Sequence, residues 1–325
     1  MAQLGEFGLI ERFFDRPLRD RNVALGIGDD AAIVQVAPGC ELVLAVDMMV
    51  ESRHFLPGAD PRSLGHKILA VNLSDMAAMG ARPRWALLAG ALPAFDESWL
   101  DEFTQGLFGL AEAHGVALIG GDTTRGPRNV CLTIAGEVPA GEAIRRAGAK
   151  PGDDVWVSGT LGDAMLALAA LQGRTVLDDA AMSSARRRLD WPAPRVALGQ
   201  SLRGIASAML DVSDGLSGDL AHILDASGVG AIVEVAKVPR SAALNAKLAG
   251  AERDVALEWL LAGGDDYELC FTAPPARRDE VIALSNAEIG LSLIGTVTSD
   301  AKQLVVLDES GTPLPSVPRA FDHFA

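Results

Sequence analysis

Aspartates placed beside glycines or at the ends of apolar runs are the residues of this sequence best suited to chemistry. They occur as Gly28-Asp29-Asp30, Ala45-Val46-Asp47, Gly121-Asp122 and Asp211-Val212-Ser213-Asp214-Gly215, and Asp75 joins them from within an apolar helical pattern. A lone ionised carboxylate in an apolar helix is expensive unless a cation compensates it. Mg²⁺ suits such a set, because it is a hard ion that takes oxygen ligands and shares them between a few carboxylates and substrate phosphates. Each acid also has a plainer use. Asp29 and Asp30 suit a turn, Asp47 a strand end, Asp211 or Asp214 a helix cap, and Asp75 a pair with a buried Arg or Lys. Five separate segments delivering acids in this way exceed what capping requires. An acidic cleft repels phosphates, so metal ions must bridge them, with Arg125, Arg145 and Arg146 available for bidentate contacts to phosphate oxygens.

The elements that must carry these residues can be read from periodicity. A helical spacing over 4–15 is followed by short strands at 31–36 and 41–47, and Pro38-Gly39 between them predicts a hairpin. Asp60-Pro61 opens a helix that runs to Gly80 and holds Asp75. Strand, helix and two further strands are expected at 84–92, 97–114, 116–121 and 129–138. The polar stretch GAKPGDD (148–154) marks a boundary. Beyond it, strands at 155–159, 208–214, 230–235, 267–273, 291–297 and 303–308 alternate with helices. The fold class is therefore α/β (mixed α+β) in two domains, 1–148 and 149–325.

The chain has 325 residues with 28 Lys and Arg against 43 Asp and Glu, a net charge of −15. That excludes a nucleic-acid-binding surface. No apolar run reaches the roughly 18 residues of a membrane span, and Glu6, Glu11 and Asp15 occupy the region where a signal peptide needs positive charge, so a cytoplasmic location without membrane association is expected. Cys40, Cys131 and Cys270 are widely spaced and odd in number, which reads as reduced core thiols. No Lys follows Gly in a Walker context, and Gly26-Ile27-Gly28 leads into a strand where a dinucleotide fingerprint needs a helix.

Taken together, GIGDDAA (26–32), AVDMMVESRHF (45–55), KILAVNLSDMAAMGARP (67–83), LIGGDTTRG (118–126), GAKPGDDVWVSG (148–159), DVSDGLSGDL (211–220), GGDDYELCF (263–271) and the closing FDHF resemble the thiamine-monophosphate kinase family. That family lies within the aminoimidazole ribonucleotide synthetase-like superfamily of two-domain, ATP-using dimers. The resemblance implies transfer of the γ-phosphoryl group of ATP to thiamine monophosphate with several Mg²⁺ ions, by a homodimer whose first domain binds ATP and Mg²⁺ and dimerises. It implies metal ligands at Asp30, Asp47, Asp75, Asp122, Asp211 and Asp214, of which Asp47, Asp75 and Asp122 are catalytic. ATP contacts fall on Gly121, Asp122, Arg146 and Ser213, and substrate contacts on His54, Asp265 and Phe321. Three positions depart from the family. Ala45-Val46 replace hydroxyl residues, Asp265 stands where a glutamate is usual, and Phe321 replaces a larger or hydroxylated aromatic. Another ATP-using enzyme of the superfamily, or a catalytically silent metal- or nucleotide-binding protein, is the alternative.

Overall fold

The structure, a computed structural model, describes residues 6–17 and 20–319. It resolves into two compact units, Met1–Met76 with Ala81–Gly141 and Ala77–Gly80 with Glu142–Ala325. The first contains α1 (Glu6–Leu9), a π-helical turn (Ile10–Phe14), β1 (Val23–Leu25), β2 (Ile33–Val34), β3 (Cys40–Val50), α2 (Pro61–Ala78), β4 (Arg82–Leu92), α3 (Glu97–His114), β5 (Ala117–Arg125) and β6 (Asn129–Pro139). The second contains β7 (Asp154–Ser158), α4 (Asp163–Leu171), α5 (Asp179–Asp190), α6 (Val196–Ser201), β8 (Ala208–Val212), α7 (Leu216–Ser227), β9 (Gly230–Glu234), α8 (Ala242–Leu248), α9 (Arg253–Ala262), β10 (Glu268–Ala273), α10 (Arg278–Leu284), β11 (Leu291–Thr298) and β12 (Leu304–Leu307).

In the first unit four strands form one sheet in the order β3-β6-β4-β5, with only β4 and β5 parallel. Strand alternation buries Ala86, Leu88, Val130, Leu132 and Ile134 on one face and leaves Leu42, Leu44, Val46, Met48 and Leu87 exposed on the other. The helix α2 starts where Asp60 accepts the Ser63 N–H at 2.8 Å, as an N-cap followed by proline should. It then crosses α3 backbone to backbone. A Cβ on Gly65 would lie 1.9 Å from the Phe103 carbonyl oxygen, and one on Gly106 would lie 1.8 Å from that of Arg62. Any side chain at either position forces the helices apart.

The hairpin expected between 31–36 and 41–47 does not form. The turn itself is present, with the Cys40 N–H bonded to the Ala37 carbonyl and Gly39 at φ +78. It redirects the chain instead of pairing its arms: β2 pairs with β1, and β3 pairs along its whole length with β6, from Cys40 opposite Pro139 to Val50 opposite Asn129. A ladder of that length outcompetes the short local pairing.

The second unit is a six-stranded sheet, β12-β9-β11-β7-β10-β8, antiparallel except for β12 against β9. Its core includes Val155, Val157, Leu210, Val212, Leu220, Leu260 and Cys270. Within this apolar surround Glu268 is fully buried. It accepts hydrogen bonds from Arg195 at 2.5 and 2.7 Å, from Arg188 at 2.5 Å and from the Ser158 hydroxyl at 2.5 Å. Burial opposes the charge on Glu268, but the two guanidiniums and the hydroxyl outweigh it and hold the carboxyl below its ordinary value of 4.5. The folded state therefore gains from this carboxylate above pH 4.5, and the gain disappears as pH falls through the lowered folded value.

Two outcomes follow. Glu268→Gln leaves two arginines without their anion and should cost about 3–5 kcal/mol, read as a lower urea midpoint. As pH falls below 4.5, the urea midpoint of the unaltered chain should drop relative to that of the variant, so that the gap between them narrows; a gap that stays constant would show that this cluster does not contribute to the acid sensitivity.

Candidate active site

The first unit holds four of the six predicted metal ligands and the predicted substrate contact His54. Asp30 sits exposed at the tip of the loop joining β1 to β2, where its N–H bonds to the Asp29 carboxylate at 2.8 Å. Gly121 and Asp122 lie in β5 opposite Leu88 and Ala89. Gly121 is at φ +152, and a Cβ there would fall 1.8 Å from the Leu88 carbonyl oxygen, so only glycine lets β5 approach β4 at this point. Asp30, Gly121 and Asp122 share the wall of one cavity of about 900 Å³, together with Trp85, Leu87 and Leu44.

Asp47 and Asp75 are not in that wall. Asp47 is half-buried in β3 opposite Leu132, and its charge, added to burial, raises the Cys131 thiol above its ordinary value. Asp75 is half-buried in α2, not enclosed as the apolar pattern around it implies. His54 closes a tight turn after β3. Its Nδ1 accepts the Val50 N–H at 3.0 Å and its own N–H returns to the Val50 carbonyl. With Nδ1 accepting, the imidazole N–H is on Nε2.

In the second unit the segments DVSDG and GGDDYE meet. Asp211, the penultimate residue of β8, is 8% exposed and lies opposite Leu269 of β10. The Asp265 N–H bonds to the Ser213 carbonyl at 2.9 Å and the Tyr267 N–H to the Val212 carbonyl at 2.8 Å. Gly264 packs so closely that its Cβ would lie 2.5 Å from the Ser213 oxygen. Asp265 and Tyr267 both adopt positive φ, +68 and +50, and the tyrosine hydroxyl donates to the Asp265 carboxylate at 3.0 Å. Left-handed backbone at two side-chain-bearing residues is strain that the surrounding structure must hold in place. Ser213, Asp214 and Asp265 thus form one cluster. Arg146 has an exposed side chain, while the chain around it is fixed by Ser227, whose hydroxyl donates to the Arg146 carbonyl and accepts the N–H groups of Gly148 and Ala149. Phe321 lies outside the described residues.

Two acids that organise this cluster were not singled out by the sequence. One Asp219 oxygen accepts the N–H groups of Ser213, Asp214 and Gly215, each at 3.0 Å, and so shapes the turn that presents Asp214. Burial, with the charges of Asp211 and Asp214, pushes its carboxyl up to about 7 against the pull of those N–H groups. An acid in the first turn of the helix after a glycine turn was its available signal. Asp266 is the second. It is fully buried, takes the Gly162 N–H on both oxygens at 2.8 and 2.9 Å, and is held well above its ordinary value by that burial. The pair Asp265-Asp266 therefore splits into one acid at the cluster and one inside the core.

Among the described residues, no three His, Cys, Asp or Glu side chains gather closely enough to hold a metal ion by themselves. The six predicted ligands are nonetheless all carboxylates, the hard oxygen donors that Mg²⁺ requires, and Asp30, Asp122 and Asp214 are exposed. Mg²⁺ usually keeps waters and binds one or two carboxylates plus substrate phosphates, so this donor set fits the ion without a preformed cage.

Comparison with known proteins places the chain. Residues 28–138 match the family described as AIR synthase related protein, N-terminal domain, and residues 150–308 match AIR synthase related protein, C-terminal domain. The chain is 46% identical over 325 residues to the thiamine-monophosphate kinase of Escherichia coli (strain K12), covering 99% of this chain and 98% of that protein. It superposes on the crystal structure of thiamine-monophosphate kinase from Stenotrophomonas maltophilia K279a with a TM-score of 0.85 at 45% identity, covering 96% and 98% of the two chains. A structure of AaThiL complexed with AMPPCP and TMP is similar with a TM-score of 0.77 at 30% identity, covering 100% and 99%. By its matched domains and its full-length relatives, the chain belongs to the AIR synthase related family and, within it, to the thiamine-monophosphate kinases.

Proposed function

We propose that this chain transfers the γ-phosphoryl group of ATP to thiamine monophosphate, giving thiamine diphosphate and ADP, in the cytoplasm where ATP is supplied, as a homodimer assisted by several Mg²⁺ ions. The observation that carries this reading is the full-length similarity to a relative complexed with AMPPCP, an ATP analogue, and TMP. Residues 1–148 then bind ATP and Mg²⁺ and dimerise, and residues 149–325 complete the metal and substrate site. No helix among the described residues is long and apolar enough to cross a membrane.

The acceptor is a phosphate monoester with a second pKa of about 6, so near neutral pH it is already a nucleophilic dianion and needs no general base. What the chain must supply is alignment of two anions. In this reading Asp30, Asp47, Asp75, Asp122, Asp211 and Asp214 would hold the Mg²⁺ ions, and Asp47, Asp75 and Asp122 are the catalytic three. Bound Mg²⁺ supplies charge neutralisation and orientation of the donor and acceptor oxygens. Gly121, Asp122, Arg146 and Ser213 face ATP, and the exposed Arg146 guanidinium offers a phosphate the planar fork suited to bidentate bonding. His54 offers a proton on Nε2 to an acceptor oxygen or nitrogen of thiamine monophosphate. The Asp265 carboxylate, fixed by its left-handed backbone and Tyr267, attracts the thiazolium cation, and Phe321 gives that ring an aromatic face. At 45 and 46 the side chains have no ligating atom, so only the backbone carbonyls there are available to a metal.

Support for the homodimer comes from β3. It is an edge strand, and Leu44 and Val46 on its outer face are 63% and 59% exposed beside exposed Leu42, Met48 and Leu87. A long apolar edge of this kind is covered in native proteins. A second copy of the same face is self-complementary about a twofold axis.

Thiamine monophosphate, ATP and Mg²⁺ should yield thiamine diphosphate and ADP in equal amounts. Chelating the metal should abolish both products, and Asp47→Asn should lower kcat by at least about 100-fold; ATP consumption without thiamine diphosphate would refute the acceptor. Light scattering should give a dimer mass for the full chain, and Val46→Asp should convert it to monomer, whereas a dimer indifferent to that charge would place the interface elsewhere.

A further inference from the structure

Arg84 of β4 and Glu137 of β6 form a buried polar cluster whose partners are both ends of one segment. The Arg84 guanidinium donates through Nη2 to the two Asp20 oxygens at 2.8 and 2.9 Å, and through Nη1 to Glu137 at 2.7 Å. The other Glu137 oxygen accepts the Ala37 N–H at 2.7 Å. The Trp85 indole N–H also donates to Asp20, at 3.0 Å. The side chains of Arg84, Asp20 and Glu137 are 11%, 17% and 5% exposed. Asp20 and Ala37 bracket the β1–β2 hairpin, whose arms are joined by the Asn22 and Gln35 bonds and the β1–β2 ladder. At its tip stand Asp29 and Asp30. Arg84 and Glu137, rooted in β4 and β6 and joined at Asp20 by Trp85, therefore tie both ends of the Asp30 hairpin to the sheet that carries Asp122.

We infer that Arg84 and Glu137 are positioning residues for the reaction: they hold the Asp30 loop at a fixed place along the cavity wall it shares with Gly121 and Asp122. The inference rests on the phosphotransferase reading for its Mg²⁺ readout and on the geometry alone for its structural one. When the clamp is cut, the hairpin keeps its own ladder but samples other positions, and the apparent affinity for Mg²⁺ falls by the fraction of time Asp30 spends in place. Excess Mg²⁺ then restores that place, so the saturated rate recovers. A substitution that merely destabilises the unit lowers the amount of active enzyme and leaves the Mg²⁺ midpoint where it was.

The test uses the full chain with Arg84→Gln, with Arg84→Lys as the conservative variant, and with Asp20→Asn, which leaves the Arg84–Glu137 pair intact. Arg84→Gln should raise the Mg²⁺ concentration for half-maximal rate by about tenfold, with a kcat at saturating Mg²⁺ within about twofold of the unaltered chain. Arg84→Lys should shift it less. Without Mg²⁺, hydrogen exchange of amides in 20–37 should speed up in Arg84→Gln while the β3–β6 ladder stays protected. A folded Arg84→Gln or Asp20→Asn with unchanged midpoint and unchanged exchange in 20–37 overturns the inference. So does failure of both to fold, since the cluster would then serve the whole unit. If the unaltered chain makes no thiamine diphosphate, the kinase reading fails by itself, and the exchange data still decide the clamp.

Discussion

Repulsion between negative charges governs this protein. Its net charge is −15, its site is proposed to gather six aspartates, and both substrates of the proposed reaction are phosphate anions. Two unit charges 4 Å apart repel by about 4 kcal/mol at an effective dielectric of 20, and the proposed site would have to offset several such pairs. The chain answers by spacing its acids. Among the described residues no three of them form a closed cage, and in the proposed reaction cations arriving with the nucleotide would complete the arrangement, in keeping with the coordination habits of Mg²⁺.

Spacing acids is useful only if each is held still, and the structure does this mainly through backbone. Gly121 allows β5 to lie against β4 where Asp122 follows, and Asp219 gathers three N–H groups beneath the turn that carries Asp214. Asp265 is locked by a positive φ and two hydrogen bonds. Deeper in the second unit, Glu268 and its two arginines fix the start of β10, just beyond that segment. The same logic extends to Asp30 through Arg84 and Glu137, whose hydrogen bonds reach the hairpin's ends instead of its tip.

The legible parts of the fold were those set by local rules. The Asp60-Pro61 helix start, the strand in 84–92, the helix 97–114 and the strands of the second unit follow from periodicity and capping, and they appear where those rules put them. Pairing was not legible. Pro38-Gly39 makes its turn, but the partner of β3 lies far along the chain in β6, and a local signal carries no information about that choice. Burial of single acids was equally hidden. Asp75 comes out half-buried although its neighbours in α2 are buried, and Asp266 is buried while Asp265, with its left-handed backbone, is not. Asp20, Arg84 and Glu137 had no readable spacing, since their association depends on three distant segments meeting. The kinase motifs were visible because their glycines and aspartates sit together in short runs.

In the proposed reaction the phosphoryl group passes directly between two anions aligned by metal-holding carboxylates, with no protein nucleophile in between. The stereochemical course at phosphorus tests it most directly, using ATP made chiral at the γ-phosphoryl group with oxygen isotopes and reading the configuration of the β-phosphoryl group in thiamine diphosphate. A single in-line displacement predicts inversion. Retention would require two displacements through a phosphorylated side chain and would contradict the account.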